Sequence, residues 1–383
     1  MKNLFYAGLI GLALFEILNV YFIMPMPGSQ RMESIDIAYL LYSHRWIFRG
    51  FFLLLILAGS FSAFKTNRPW IPVITVIPVV VISYFFNFRM TADHMFLQPE
   101  TVIFRSRGEH QLSDSSIVLA VTSNMESKAY PVRYIQYHHQ VRDTIAGKQI
   151  MVTYCNVCRT GRVFEPIVNG RAENFRLVGM DHFNAMFEDE TTGSWWRQAT
   201  GEAITGILKG TTLPEVESNQ YTLGKFFSLH PFGKVMAADE ISAERYDTLG
   251  RFEKGKSQSK LTRTDSVSWE DKSWVIAVHA GKESKAYDWI TLSKVRVIND
   301  TVGNKPVVVA LAPDGQSFVV LERRANESFI VRNDSLVSAM NRYDFAGRST
   351  DGVHAKTVTA YQEFWHSVKQ FHPGIPRYDE SRD

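Results

Sequence analysis

Cysteine is nearly missing from this chain: of 383 residues two are cysteine, and both lie in one motif, Cys155-Asn-Val-Cys158. At most one disulfide is therefore possible, and a tetrahedral metal centre built on the motif needs further ligands from His or carboxylate side chains. No His follows Cys158, which argues against covalent haem attachment. Runs of Lys or Arg are missing too, and at a net charge of +3 no nucleic-acid partner is expected. Gly-x-Ser-x-Gly, His-Glu-x-x-His and the Gly-x-x-x-x-Gly-Lys phosphate loop are all absent, so hydrolase readings find no support. Low-complexity sequence is confined to the last ten residues at most.

Long apolar runs are what the chain does have. Residues of about 3–24, 46–64 and 70–88 form stretches near the ~20 that span a bilayer as helix, so 1–90 is expected to be an α-helical membrane region with the lipid bilayer as its partner. The first run is too long for a signal-peptide core, and Ile23-Met-Pro-Met-Pro-Gly28 offers no small-x-small cleavage site. Arg49, near one end of the second run, is expected to snorkel. Lys2 and the loop Lys65-Thr-Asn-Arg68 favour a cytoplasmic N-terminus by the positive-inside rule, although Arg31, Arg45 and Arg89 then fall outside. Residues after 90 are thereby expected in an oxidising compartment, where disulfides persist.

The remainder contains an internal duplication. Adding 157 carries Asp114 to Asp271, Ser116 to Ser273 and Glu126-Ser-Lys-Ala-Tyr130 to Glu283-Ser-Lys-Ala-Tyr287, ten identities in seventeen ungapped positions. The same offset sets Ala312-Pro-Asp-Gly315 against the cysteine motif. Pro-Asp-Gly between apolar runs is a turn signal, because Pro presets φ, Asp bonds its own backbone and Gly supplies positive φ. By position, then, the cysteines sit at the tip of a hairpin formed by about 148–154 and 161–165. Ends of a β-turn lie within ~7 Å, which suits a disulfide or a shared metal.

Short β-branched runs at Ser116–Val121, Gln149–Tyr154, Ser273–His279, Val307–Leu311 and Phe318–Leu321 are expected strands. The clearest helical patterns are Thr222–Leu229 and Ala360–Phe371, each followed by His-Pro. The expected soluble region is mainly β, a β-rich α+β architecture of two related, pseudo-symmetric lobes. These cover 95–240 and 260–375, joined by a polar connector near Lys254–Thr264.

From Ala129 to Pro231 the chain resembles a bacterial and archaeal family known as DUF3179, a domain of unknown function with a Cys-x-x-Cys motif. The residues that carry the resemblance are Ala129-Tyr-Pro-Val-Arg133, Tyr137-His138 followed by Asp143, Val152-Thr-Tyr-Cys-Asn-Val-Cys158, Gly193-Ser-Trp-Trp-Arg-Gln198, and Gly201-Glu-Ala-Ile204 with Gly206. Asn156-Val157, Arg159, His139 and His182-Phe-Asn184 depart from its usual pattern. Some members are similar to selenoproteins, which implies a position where thiolate or selenolate reactivity, or soft-metal ligation, matters. The location implied is the bacterial inner (cytoplasmic) membrane, with the soluble region extracytoplasmic.

Three readings of the motif stand. As a redox dithiol, Cys155 and Cys158 attack and resolve, with His138 as proton acceptor; Arg159-Thr-Gly-Arg162 reads as turn and strand, so the helix start of a thioredoxin site is lacking. As a Zn or Cu site, the pair takes further ligands from His138, His139 or His182. As a structural clip, it staples the hairpin, although the Pro-Asp-Gly copy forms a hairpin without one. Tyr154, Arg159, Thr160, Asp181, His182, Trp195, Gln198 and Glu202 are expected to surround the site. The leading expectation is a membrane-anchored thiol/disulfide redox protein of unknown role, with thiol-disulfide oxidoreductase-like activity, acting on a redox partner protein. Metal or cofactor binding and a non-catalytic assembly role are the alternatives.

Overall fold

The structure, a computed structural model, describes residues 1–379. Contacts divide the chain along other lines than the tandem of 1–90, 95–240 and 260–375. One unit joins Met1–Leu97 to Glu173–Arg197 and Glu202–Thr212; the other takes Gln98–Ala172, Gln198–Gly201 and the chain from Leu213 onward.

The first unit contains helices α1 (Lys2–Tyr21), α2 (Ile35–Ser43), α3 (Arg45–Phe64) and α4 (Trp70–Phe88). Of these α1, α3 and α4 are long and apolar enough to cross a membrane, which is compatible with a membrane anchor. Leu54, Leu57, Phe61, Val80 and Val81 point outward, as lipid-facing side chains do. Glycine lets α1 and α3 touch: a Cβ on Gly59 would lie 2.2 Å from the Phe5 nitrogen, and one on Gly8 2.7 Å from Ile56 Cγ1. Arg49 does not snorkel. Its guanidinium meets Glu16 of α1 at 2.8 and 2.9 Å and Asn87 of α4 at 2.5 Å, because a charge among apolar helices is far cheaper paired than alone.

The same unit carries an antiparallel four-stranded meander of Phe175–Asp181, Asn184–Asp189, Trp195–Arg197 and Ala203–Thr205. His182 and Phe183, both at positive φ, make the two-residue turn of its first hairpin. Gly179 permits the backbone of Ile23 to approach, and Met180 N donates to the Ile23 carbonyl at 2.7 Å.

The second unit is β-rich, with several small sheets. Strands Ile117–Ser123 and Glu126–Pro131, helix Val132–His138, and strands Gln140–Ile145, Lys148–Cys155 and Thr160–Phe164 follow one another. The same series recurs as Trp274–Ala280, Glu283–Asp288, Trp289–Val295, Val297–Val302, Lys305–Leu311 and Phe318–Glu322. Backbone conformation follows: Asn124 and Gly281, His139 and Arg296, Ala146 and Gly303 all have positive φ. Strand Ser218–Thr222 pairs with Ile117–Ser123, and Thr359–Phe364 pairs with Trp274–Ala280. The helical expectation for Ala360–Phe371 therefore holds only from Trp365, because its first half is recruited as a sheet edge. Helix Ala243–Glu253, ahead of the polar connector, is not legible as a helix in the sequence.

Alternation along the strands explains why the unit does not fall into two separate cores. Ile117, Leu119 and Val121 enter one apolar cluster with Ile276 and Val309, while Val118 and Ala120 enter another with Val308 and Ala310. Each strand is buried on both faces, so its sequence reads as a continuous apolar run.

The repeated Glu-Ser-Lys-Ala-Tyr segments have a structural task. Lys128 Nζ and Tyr130 Oη clamp Asp143 at 2.9 and 2.6 Å; Lys285 and Tyr287 clamp Asp300 at 2.7 and 2.8 Å. Asp143→Ala and Asp300→Ala are each expected to destabilise the second unit by roughly 1–3 kcal/mol, since a buried hydroxyl and ammonium lose their acceptor. Thermal unfolding of the full chain in detergent reads this, and Asp300, the more buried of the two, should give the larger loss.

Candidate functional site

The cysteines lie at a hairpin tip, as the duplication indicates. Cys155 is the last residue of one strand and pairs with Thr160, the first of the next. The copy turns at Ala312 and Gly315, where the Gly315 N donates to the Ala312 carbonyl at 3.0 Å. Arg159 closes the cysteine turn at φ 54°, a left-handed position that any non-glycine residue holds only under outside constraint.

That constraint is visible. Arg159 is 2% exposed and donates to Gln362 Oε1 at 3.0 Å and to the carbonyls of Phe252 and Glu253 at 3.2 Å, with Trp274 stacked at 3.6 Å. Arg162 pairs with Glu363 at 2.5 Å and lies over the Tyr361 ring at 3.2 Å. Both guanidinium groups, considered on sequence as thiolate partners, are committed to the strand Thr359–Phe364. Phe364 N then donates to the Cys158 carbonyl at 2.9 Å.

Behind the hairpin, Gln198 Nε2 donates to Thr153 Oγ1 and to the Thr160 carbonyl, each at 3.1 Å. His139 Nδ1 donates to the Tyr154 carbonyl at 2.9 Å, and burial lowers its pKa to about 4, so the ring is neutral. Tyr154 is buried against Phe252, and burial raises its phenol. His138 is fully buried, and its Nε2 lies 2.5 Å from the Tyr246 hydroxyl on helix Ala243–Glu253.

Two residues that sequence reasoning misses stand beside the thiols. Lys272 Nζ donates to the Val157 carbonyl, between the two cysteines, at 2.7 Å. Burial pulls its pKa down to about 8, while the nearby cysteines, Cys158 foremost, act to raise it. His366 Nε2 is 4.0 Å from Cys158 Sγ, and its Nδ1 is 3.1 Å from the Asp271 carbonyl. A carbonyl only accepts, so in the neutral ring Nδ1 carries the proton and the bare Nε2 faces sulfur. Burial, with the Lys272 charge, lowers His366 to about 3 and keeps it neutral. Exposure grades outward from buried Cys158 through half-buried Lys272 and His366 to exposed Asp271. Nothing in the spacing marks Lys272 or His366: they lie over a hundred positions from the motif and match no residue type in the first copy.

Asp181, His182, Trp195 and Glu202 belong to the first unit, the cysteines to the second. Asp181 anchors His182 at 2.6 Å and Arg197 at 2.6 and 2.8 Å; burial would raise its carboxyl, but these partners hold it below the usual range. The same contact raises the His182 pKa. Trp195 is buried, with its indole donating to Glu188 at 2.9 Å and Tyr39 edge-on at 5.1 Å, so it serves a core. Glu202 flanks Arg197 at 3.9 Å. Among the described residues no group of three His, Cys, Asp or Glu side chains is placed to hold a metal ion.

Three apolar helices compatible with a membrane anchor, a β-rich unit with a recurring strand series and a buried Cys-x-x-Cys turn together define a class of protein that lacks the helix start of a thioredoxin site. The chain belongs to the family described as "Protein of unknown function (DUF3179)", whose model matches residues 98–375. The match extends through the second half of the duplication, beyond the first lobe in which the resemblance is read from sequence. No curated protein and no solved structure shows significant similarity to the chain.

Neutral buried histidines make stability acid-sensitive. His366 and His279, both lowered to about 3, bind fewer protons folded than unfolded between that value and the ordinary ~6.5, so stability is present above 6.5 and falls as pH drops. Each is expected to cost about 2 kcal/mol at pH 5 relative to pH 7. Thermal unfolding across this range should show the decline, and His366→Gln should reduce it by about 2 kcal/mol while the His279 share remains.

Proposed function

We propose that the protein is a membrane-anchored dithiol redox protein of the bacterial inner membrane, with 95–240 and 260–375 as duplicated, pseudo-symmetric lobes on the extracytoplasmic side. The single observation that carries the reading is the Cys158–His366 approach at 4.0 Å, with the imidazole tautomer set by the Asp271 carbonyl. Recurrence of the strand series supports the duplication, and the charges of Lys2, Lys65 and Arg68 support the orientation.

In this mechanism the neutral His366 Nε2 accepts a hydrogen bond from the Cys158 thiol and orients it, the thiol proton leaves to water, and the Lys272 ammonium stabilises the resulting thiolate. We assign the orienting role to His366 in place of His138, whose Nε2 meets Tyr246. The thiolate attacks one sulfur of a partner's disulfide, forming a mixed disulfide and releasing the partner's other sulfur as thiolate. Cys155, three residues away at the other end of the turn, then attacks Cys158 Sγ and releases the second partner thiol. The partner gains two electrons and the Cys155–Cys158 pair loses them; the reverse sequence oxidises a partner dithiol.

Equilibration of the full chain in glutathione buffers, followed by thiol trapping, tests the assignment. Interconversion of one dithiol per chain is expected, and a pair that never changes state overturns the reading. In a Cys155→Ser background, alkylation of Cys158 by a small reagent should slow about tenfold at pH 7 in Lys272→Met, because loss of one neighbouring charge raises a thiol pKa by about one unit. His366→Gln should slow it comparably. Since Lys272 deprotonates near 8, the contrast between the chain that keeps Lys272 and the Lys272→Met variant is expected below that pH and to vanish above it.

A further inference from the structure

A second site lies in the first unit, where α1 and α4 end and α3 begins. A cavity of about 210 Å³ opens there, with Asn19, Arg45, Asn87 and Arg176 among its polar walls and Val20, Phe86 and Met90 among its apolar ones. Alternating helix directions bring these three ends to one side of the bundle. Exposed Trp46 follows Arg45 directly, the placement expected of an aromatic at a membrane–water boundary.

Two features of the walls call for a ligand. Asn19 is 6% exposed, lines the cavity, and its Oδ1 has no hydrogen-bond partner among the described residues. Buried amides are almost always satisfied, so this atom needs a group from outside the chain. Arg45 is the other. Arg176 is neutralised by Glu188 at 2.7 Å and Asp93 at 3.2 Å, and Arg49 by Glu16. Among the described residues no carboxylate pairs with Arg45, whose Nη1 donates to the Tyr42 carbonyl at 2.7 Å while its guanidinium covers the Tyr42 ring at 4.1 Å. The positive end of the α3 dipole adds to the same field.

We infer that this cavity holds the phosphate-bearing headgroup of a membrane phospholipid. Arg45 receives the phosphate, Asn19 meets a polar hydrogen of the headgroup, and the acyl chains run along the apolar outer faces of α1 and α4. An uncompensated guanidinium selects an anion, and the position at the helix ends selects one that arrives with the bilayer.

Unfolding of the full chain in mild detergent, with native mass spectrometry for retained lipid, provides the test. Phosphatidylglycerol should raise the unfolding temperature and be retained one per chain. Diacylglycerol, which lacks the phosphate, and inorganic phosphate, which lacks the chains, should do neither. Arg45→Gln and Asn19→Leu are each expected to weaken phosphatidylglycerol binding about tenfold, equivalent to ~1.4 kcal/mol. Cys158 alkylation should be unaltered in both, and if one variant fails to fold the other decides. An equal response to diacylglycerol, retention unchanged in both variants, or saturation by inorganic phosphate alone each overturns the assignment.

Discussion

The ion pair between Arg162 and Glu363 is the interaction on which the thiol site depends. Both side chains are almost fully buried, at 2% and 1% exposure, and meet at 2.5 Å. Either charge alone would be strongly destabilising in that interior, so the two segments that carry them are obliged to stay together. Ser367 donates to the second carboxylate oxygen at 2.9 Å and Tyr361 offers its ring face, so most of the hydrogen-bonding demand of the pair is met within the second unit. Glu363 lies three residues before His366, and Arg162 four after Cys158. A constraint at that point sets the distance between imidazole and sulfur.

The second copy of the duplication is therefore more than a cysteine-free comparison. It contributes Gln362 and Glu363 to hold the hairpin, Phe364 N to bind the Cys158 carbonyl, and Lys272 and His366 to create the polarity beside the thiols. Duplicated folds can divide labour this way because the strand series maintains itself through local clamps such as Lys128–Asp143–Tyr130, leaving other positions open to diverge. Ala312-Pro-Asp-Gly315 is what the same turn becomes when it has only to turn: Asp314 accepts from the backbone of Gln316 and Ser317 and needs no help from across the fold.

How much is legible follows from the range of each interaction. The three apolar helices, the hairpin around the cysteines and most of the strands rest on patterns within about twenty residues, and these are readable. The unrecognised elements α2 and Ala243–Glu253 have weak local signals and are held by tertiary contacts; Arg133 alone reaches Tyr246, Asp247 and Glu253. Ala360–Phe364 reads as helical because its local pattern suits either state, and pairing with Trp274–His279 decides for strand. Arg159 and Arg162 are plausible thiolate partners by proximity in sequence, yet their guanidinium groups are aimed at Gln362 and Glu363.

Composition and periodicity by themselves determined that this chain has three helices long and apolar enough to cross a membrane, a β-rich remainder with an internal sequence repeat and one Cys-x-x-Cys at a hairpin tip. These are consequences of side-chain hydrophobicity and turn stereochemistry acting between near neighbours. Tertiary structure alone decided which histidine and which cation face the sulfurs. It also decided that Asp181, His182 and Trp195 belong to the first unit, and that no carboxylate among the described residues pairs with Arg45. Those outcomes depend on where distant strands and helices meet, and on burial, which turns a 4 Å approach or an unpaired guanidinium from an incidental feature into one with chemical consequence.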